Sequence, residues 1–208
     1  LAEGDVSGAV RLLASADGLA PQNRETLVAS KAKHPPAPDD LRLPDPPDGS
    51  ILPVVATEED VQKAIFSFRA GSSGGPDGLR PGHLRSLIAY GTAEAGSRLL
   101  TALTEFVNVM LRGEIPEFVA PVIFGANICA LQKIDGGIRP IAIGSSLRRL
   151  ATKVGARPVL STLGEELRPI QLGVATVGGC EAAAHAARRY IKDCRHRRVL
   201  LKVDKIGR

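Results

Sequence analysis

Aromatic and sulfur-containing residues are scarce in this sequence. Aromatics make up 3% of its 208 residues, tryptophan is absent, and there are three cysteines. So few aromatics disfavour recognition by base stacking, and an odd number of widely spaced cysteines favours a reducing compartment over a disulfide framework. No apolar run approaches the ~18 residues of a membrane span, and no secretory signal follows Leu1. We therefore expect an intracellular protein of the cytoplasm or nucleus, without a membrane.

Positive charge is concentrated at one end of the chain. Residues 1–138 carry 12 Lys or Arg against 17 Asp or Glu, a net −5, whereas residues 139–208 carry 15 against 5, a net +10. Such an excess suits a polyanion, and nucleic acid is the commonest one. The alternative is a solvated basic helix with no partner.

Proline divides the sequence. Six prolines fall within residues 35–47, where they remove backbone donors and favour extended conformations. We therefore predict an N-terminal helical appendage at 1–34, a proline-rich linker at 35–56 and a main body at 57–208. The appendage is expected to hold helices near residues 5–13, with Val6, Val10 and Leu13 on one face, and near 23–31.

The main body mixes helical and strand patterns, so the predicted class is α+β. A helix is expected from the Thr57–Asp60 capping pair, and another from Pro81 to Tyr90. The strongest helix spans residues 93–112 and ends at Gly113. Further helices are predicted from Ser145–Ser146, over 158–167 and over 180–194, with a turn into a strand at 171–174 and a buried strand at 198–204.

Two motifs invite ligand hypotheses that their spacing does not support. The glycine-rich stretch 71–78 lacks both the Gly-Lys-Ser/Thr and the preceding strand of a P-loop, so a connector with several turns is favoured over a nucleotide cradle. Cys180, His185, Cys194 and His196 are spaced along one helix in a way that does not converge on a tetrahedral zinc ion.

Residues 122–143 predict a β-hairpin. Apolar runs at 122–131 and 138–143 flank a Gly136–Gly137 turn, with Lys133 just before the turn and Arg139 just after it. The helix that follows adds Arg148, Arg149 and Lys153, so the stretch predicts a phosphate-binding surface. Taken alone, the two residues favour a different interpretation: Lys133 as a solvent-facing turn residue, and Arg139 as a surface ion-pair partner of Asp135.

Four motifs, in this order, resemble reverse transcriptases of non-long-terminal-repeat (LINE-type) retrotransposons. They are Ser73-Gly74-Gly75-Pro76-Asp77-Gly78-Leu79; Lys133 with Arg139-Pro140-Ile141; Gln171-Leu172-Gly173-Val174 with Gly179-Cys180-Glu181-Ala182; and Leu201-Lys202-Val203-Asp204. The early segment, from Glu3-Gly4-Asp5-Val6 to Lys33-His34-Pro35, is also similar to what precedes the polymerase domain in such elements. The resemblance thus spans nearly the whole chain.

The resemblance implies part of a right-hand RNA-directed DNA polymerase. The chain would supply a mostly helical fingers subdomain with a β-hairpin and the first palm strand, truncated before the remaining palm and the thumb. Lys133 and Arg139 would grip the triphosphate of the incoming dNTP, and Asp204 would be a catalytic ligand of Mg²⁺. RNA template and DNA primer would be the partners. The predicted nucleic-acid contacts are Arg148, Arg149, Lys153, Gln171, Arg188, Arg189 and Lys192. For the basic run that holds the last three, a solvated helix end is an equal alternative.

The sequence departs from the family after Asp204. Lys205-Ile206-Gly207-Arg208 stands where the family has an Asn-Ala-Phe-like run, and the sole Asp-Asp pair, Asp39–Asp40, lies in the proline-rich linker. Two catalytic ions need more carboxylates than Asp204 alone. We therefore expect this polypeptide not to extend a primer by itself. The alternatives are a noncatalytic nucleic-acid-binding remnant and a helical interaction domain with an incidental basic surface.

Overall fold

The computed structural model describes residues 6–14, 18–42, 45 and 53–193, and these residues form an α+β fold. The chain separates into two compact units, Leu1–Gly155 and Ala156–Arg208. In chain order the elements are α1 Val6–Ala14, β1 Gly18–Leu19, α2 Arg24–Ala32, α3 Glu58–Phe66, α4 Pro81–Tyr90, α5 Ala93–Leu111, α6 Ala120–Phe124, β2 Ala126–Gln132, β3 Ile138–Gly144, α7 Ser146–Leu167 and α8 Gly179–Asp193.

Local capping signals set the start of α3. Thr57 Oγ1 accepts a hydrogen bond from the N–H of Asp60 at 3.2 Å, and Asp60 Oδ2 accepts one from the N–H of Thr57 at 3.2 Å. This reciprocal pair satisfies two donors that a helix end leaves unpaired. The predicted capping pair is therefore confirmed.

The core of the first unit lies between α3, α5 and the start of α7. Val61, Ile65, Val107 and Leu150 are fully buried, and Leu103 packs with them. Their spacing within each helix places them on one face, so burial of that face holds the three helices together. The helix predicted over residues 93–112 is therefore confirmed as α5, and its apolar face is core.

The hairpin prediction is confirmed, with a different first strand. β2 and β3 pair antiparallel from Ala126 opposite Gly144 to Gln132 opposite Ile138. Residues 122–124 lie in α6 instead of the predicted strand, because Pro121 fits the first turn of a helix and Gly125 ends it. The strand therefore begins four residues later than predicted.

The three-stranded sheet formed by the described residues has the order β1-β2-β3. The sequence prediction missed β1, a two-residue strand that pairs Gly18 with Gln132 and Leu19 with Leu131. β3 is an outer strand, and its Pro140 lies opposite Ala130. The N-terminal segment thus joins the hairpin's sheet, while the domain boundaries at residues 34 and 56 stay predictions.

Two predictions in the second half need correction. One continuous helix, α7, replaces the two expected before and after Pro158, which lies within it. Residues 171–174 are irregular, with a bend at 173–174 and no strand; there the side-chain Oε1 of Gln171 accepts the N–H of Gly173 at 2.8 Å. That side-chain bond satisfies a backbone donor that a strand ladder would otherwise use. The helix predicted at 180–194 is confirmed as α8.

Both N-terminal helix predictions are confirmed. α2 begins with Asn23 Oδ1 accepting the N–H of Thr26 at 2.8 Å. The helix predicted near residues 5–13 is α1, and its apolar face is exposed, since Val6 and Leu13 are 62% and 88% accessible. The predicted strand at 198–204, with Asp204, lies outside the described residues. Within them, no helix is long and apolar enough to cross a membrane.

Candidate nucleic-acid interface

One face of the β-hairpin carries both cations of the predicted triphosphate grip. Arg139 lies opposite Leu131 in the register. Lys133, one residue past the end of β2, continues the ladder by donating its N–H to the carbonyl of Gly137 at 2.8 Å, so alternation from Leu131 puts Lys133 and Arg139 on the same face. Diagonal neighbours of this kind lie about 7–8 Å apart. Their long side chains can therefore reach a common phosphate group.

The turn between the strands is held by its own hydrogen bonds. Lys133 donates its N–H to the carbonyl of Gly137 at 2.8 Å, and Gly136 adopts a φ of 78°, which favours glycine. Asp135 Oδ1 accepts the N–H of Gly137 at 2.9 Å. The Asp135 carboxylate thus supports the turn, and these hydrogen bonds fix the backbone position of Lys133.

The glycine-rich loop packs against the start of α7. A Cβ added to Gly75 would lie 2.6 Å from the Cα of Ser145, so only glycine allows this approach. Ser146 Oγ donates to the carbonyl of Leu79 at 2.5 Å, and Arg149 Nη1 donates to the carbonyl of Ser73 at 2.7 Å. The expected connector is therefore packed firmly on α7, and the close approach occurs within the glycine-rich stretch that the sequence singled out.

Arg148 fastens the hairpin to the same helix. Its Nη1 donates to the carbonyl of Phe124 at 2.7 Å, and its guanidinium lies over Gly144, where a Cβ would overlap it. The start of α7 is itself capped, because Ser145 Oγ accepts the N–H of Leu147 at 3.2 Å. Arg148 and Arg149 thus hold the hairpin and the glycine-rich loop on one helix turn.

A basic cleft lies between α7 and the turn that follows α3. Its volume is about 770 Å³, and its eight lining residues comprise four cations, three hydroxyl side chains and one phenylalanine: Arg69, Arg148, Arg149, Lys153, Ser67, Ser72, Thr152 and Phe68. We call this the basic cleft. With no carboxylate among the lining residues, its field attracts anions.

Phe68 organises two of these cations. Arg149 Cζ lies 5.3 Å and Lys153 Nζ 4.7 Å from the centroid of its buried ring, within the range of cation–π attraction. Lys153 Nζ also donates to Ser67 Oγ at 2.7 Å. Partial burial, and secondarily the charge of Arg149, lowers the pKa of Lys153 below its ordinary value.

Among the described residues, the hydrogen-bond acceptors that these cations contact are neutral. Arg148 and Arg149 donate to backbone carbonyls, and Lys153 donates to the hydroxyl and the carbonyl of Ser67. Such bonds fix the side chains without cancelling their charge. An incoming phosphate would therefore meet preorganised, uncompensated cations.

Arg149 connects the basic cleft with the hairpin face. It also lines a shallow cavity of about 440 Å³ with Ser73, Ile141 and Ile143. Ile141 and Ile143 share a face with Arg139 by alternation along β3. One surface therefore runs from Lys133 and Arg139 past Arg149 into the basic cleft.

The remaining predicted nucleic-acid residues belong to the second unit. Arg188, Arg189 and Lys192 lie on α8, and Gln171 lies in the irregular segment between α7 and α8. Arg189 Nε is 3.5 Å from Asp193 Oδ2 on the exposed helix surface, a contact of small energy. The structure thus brings Arg148, Arg149 and Lys153 together in the first unit, and Arg188, Arg189 and Lys192 together in the second.

A metal centre is not visible in the described ranges. No three His, Cys, Asp or Glu side chains in them lie close enough to hold an ion. Asp204, the predicted Mg²⁺ ligand, lies outside those ranges, as do Cys194 and His196. The Mg²⁺ site stays a prediction.

Comparison with known proteins finds no relative: no protein-family model, no curated protein and no solved structure matches this chain.

Proposed function

We propose that this chain is the nucleotide- and template-gripping part of a retrotransposon RNA-directed DNA polymerase. The observation that carries the proposal is the shared hairpin face of Lys133 and Arg139, continuous through Arg149 with the basic cleft. A polymerase needs a dNTP triphosphate beside a template backbone, and this surface offers cations for both. The order of the four sequence motifs supports the same function.

The chemistry assigned to the hairpin is charge neutralisation. The planar Arg139 guanidinium can bind two phosphate oxygens, and the Lys133 ammonium acts as a point charge. Such groups stabilise the charge that develops during phosphoryl transfer. By the same resemblance Asp204 would hold Mg²⁺, and the described residues add no carboxylate cluster for that ion.

Binding to an RNA·DNA primer–template tests the proposal. We expect log affinity to fall steeply with log salt concentration, because cations contact backbone phosphates. The complementary dNTP should tighten the complex. Arg139→Gln should remove that tightening, which lowers the affinity measured with dNTP present by roughly tenfold, because a charge-assisted pair is lost. Arg98→Gln, an equal charge change on an exposed position of α5, is the matched control and should retain it.

The same titrations separate the other functions. Steep salt dependence without any dNTP effect would support a noncatalytic nucleic-acid-binding remnant. This is the second candidate function, because the cations of the basic cleft bond neutral groups and keep their charge for a phosphate backbone. A flat salt dependence would remove both nucleic-acid functions. It would leave a helical interaction domain.

A further inference from the structure

A second positively charged cavity lies on the other side of Arg69. Its volume is about 350 Å³, and it is lined by Arg69, Ala70, Gly71, Gly82, His83, Arg85, Ser86 and Tyr90. Two guanidinium groups, an imidazole and two hydroxyl groups can all donate hydrogen bonds, and no lining residue is acidic. We call it the α4 pocket, because five of its eight residues lie on that helix.

The start of α4 adds to this potential. The helix begins at Pro81, which has no N–H, after Arg80, whose guanidinium offers no acceptor to the first turn. Helix N-termini attract anions through their amides and dipole; in this first turn the N–H of His83 already donates to the carbonyl of Arg80 at 3.0 Å. A Cβ added at Gly82 would meet nothing within 4 Å, so there is room beside this end of the helix.

Arg85 contributes a fixed and uncompensated charge. Its Nη2 donates to the carbonyls of Phe66 and Phe68 at 3.0 and 2.5 Å, and its Cζ lies 5.8 Å from the centroid of the Phe66 ring. These neutral groups hold the guanidinium without cancelling its charge. Its Nε is buried and has no hydrogen-bond partner in the described part of the chain. An anion in the α4 pocket would offset that half-buried charge.

Arg69 lines both the basic cleft and the α4 pocket. The two sites are therefore contiguous, with Arg69 between them. Lys153 and Arg85 further approach the same short segment: Lys153 bonds Ser67, and Arg85 bonds the carbonyls on either side of it. Cations thus line both sides of the turn that ends α3.

We infer that the α4 pocket binds a backbone phosphate of an RNA strand that continues from the basic cleft across Arg69. This inference rests on the proposed nucleic-acid function. It extends the path of the RNA strand to the residues of the α4 pocket, to which the proposed function assigns no role. The contacts are to phosphate, since the cations and hydroxyls that line both sites carry no pattern specific to a base. Free nucleotides carry the same phosphate chemistry, so the test includes one.

The test measures binding of a labelled oligouridylate of about 12 nucleotides, and separately of adenosine monophosphate, from about 50 to 200 mM salt. Ser86→Glu places a carboxylate in the α4 pocket at an exposed helix position, and Arg69→Gln removes the shared cation. Ala102→Glu adds the same charge on the exposed face of α5 and is the control. Urea unfolding of each variant checks that the fold persists.

We expect Ser86→Glu and Arg69→Gln to weaken oligouridylate binding about fivefold or more and to lower the log–log salt slope by about 0.7 each, the value for one phosphate of a single strand. Ala102→Glu should change the affinity less than twofold. Equal effects of Ser86→Glu and Ala102→Glu would overturn the α4 pocket while leaving the proposed function standing, whereas a wild-type protein without salt-dependent binding would overturn both. If Ser86→Glu abolishes adenosine monophosphate binding but spares the oligouridylate, the pocket takes a free nucleotide and the strand path is wrong.

Discussion

Replacing Gly75 by alanine should separate the glycine-rich loop from α7. The new methyl would lie 2.6 and 2.7 Å from the Cα and N of Ser145, and 2.8 Å from the carbonyl carbon of Gly144. All three atoms belong to the backbone, so no side chain can rotate away. Since ordinary contact begins near 3.4 Å, the loop or the helix start must move by about 0.8 Å.

The expected loss of stability follows from that displacement. Forcing a methyl into a packed site typically costs about 1–3 kcal/mol. The shift also strains the 2.5 Å bond from Ser146 Oγ to the carbonyl of Leu79, and a lost hydrogen bond of this kind adds about 1 kcal/mol. We therefore expect the free energy of unfolding to fall by about 2–4 kcal/mol.

Urea unfolding followed by circular dichroism measures this change, and Gly82→Ala is the matched control. Gly82 is helical and a Cβ there meets nothing within 4 Å, so alanine should be neutral or stabilising by up to about 1 kcal/mol. Gly75→Ala should also weaken RNA binding, because the Ser73 carbonyl that anchors Arg149 moves with the loop. A Gly75→Ala protein as stable as the wild type would refute the packing of this loop on α7.

Two further predictions concern single side chains. The side chain of Asn108 holds the backbone of the buried Ala56, accepting its N–H at 2.7 Å and donating to its carbonyl at 3.1 Å. Asn108→Ala should therefore lower the free energy of unfolding by about 2–4 kcal/mol. A loss below about 0.5 kcal/mol in urea titrations would contradict this. Because its pKa is lowered, the Lys153 amine should be acylated at lower pH than an ordinary lysine, and bound RNA should slow that reaction by stabilising the charged form. Mass spectrometry of labelled peptides measures the acylation rate, with Lys63, the ion-pair partner of Glu59, as internal reference. An acylation rate at Lys153 that RNA does not change would count against phosphate contact there.

Local signals made most helices and the hairpin predictable. The bond between Thr57 and Asp60 joins residues three apart, and the apolar stripe of α5 repeats within one helix, so a short window of sequence contains each cause. The same holds for the turn at Gly136, where the positive φ is the reason for glycine. Pro158 led to the wrong prediction for α7, because the helix continues through it despite its low helix propensity.

The basic cleft could not be predicted in the same way. Lys153 and Ser67 are 86 residues apart, and Arg149 and Ser73 are 76 apart, so only the packing of α3 on α7 brings them together. The sequence indicated that Arg148, Arg149 and Lys153 were cations on one helix. It held no sign that Arg69 and Phe68 would face them.

Pro140 has a consequence for how the sheet meets other chains. Lys133 bonds Gly137, and hydrogen-bonded pairs alternate along an antiparallel ladder, so the pair of Ala130 with Pro140 is a non-hydrogen-bonded one. The carbonyl of Ala130 accordingly accepts the N–H of Ala20, the residue just after β1, at 2.9 Å. The nitrogen of Pro140 therefore points away from β2, towards the outer edge of β3. An exposed edge strand invites another strand to pair with it, and proline there removes one of the donors such pairing needs. The residue that follows Arg139 thus protects the hairpin from self-association while its face stays open to a ligand.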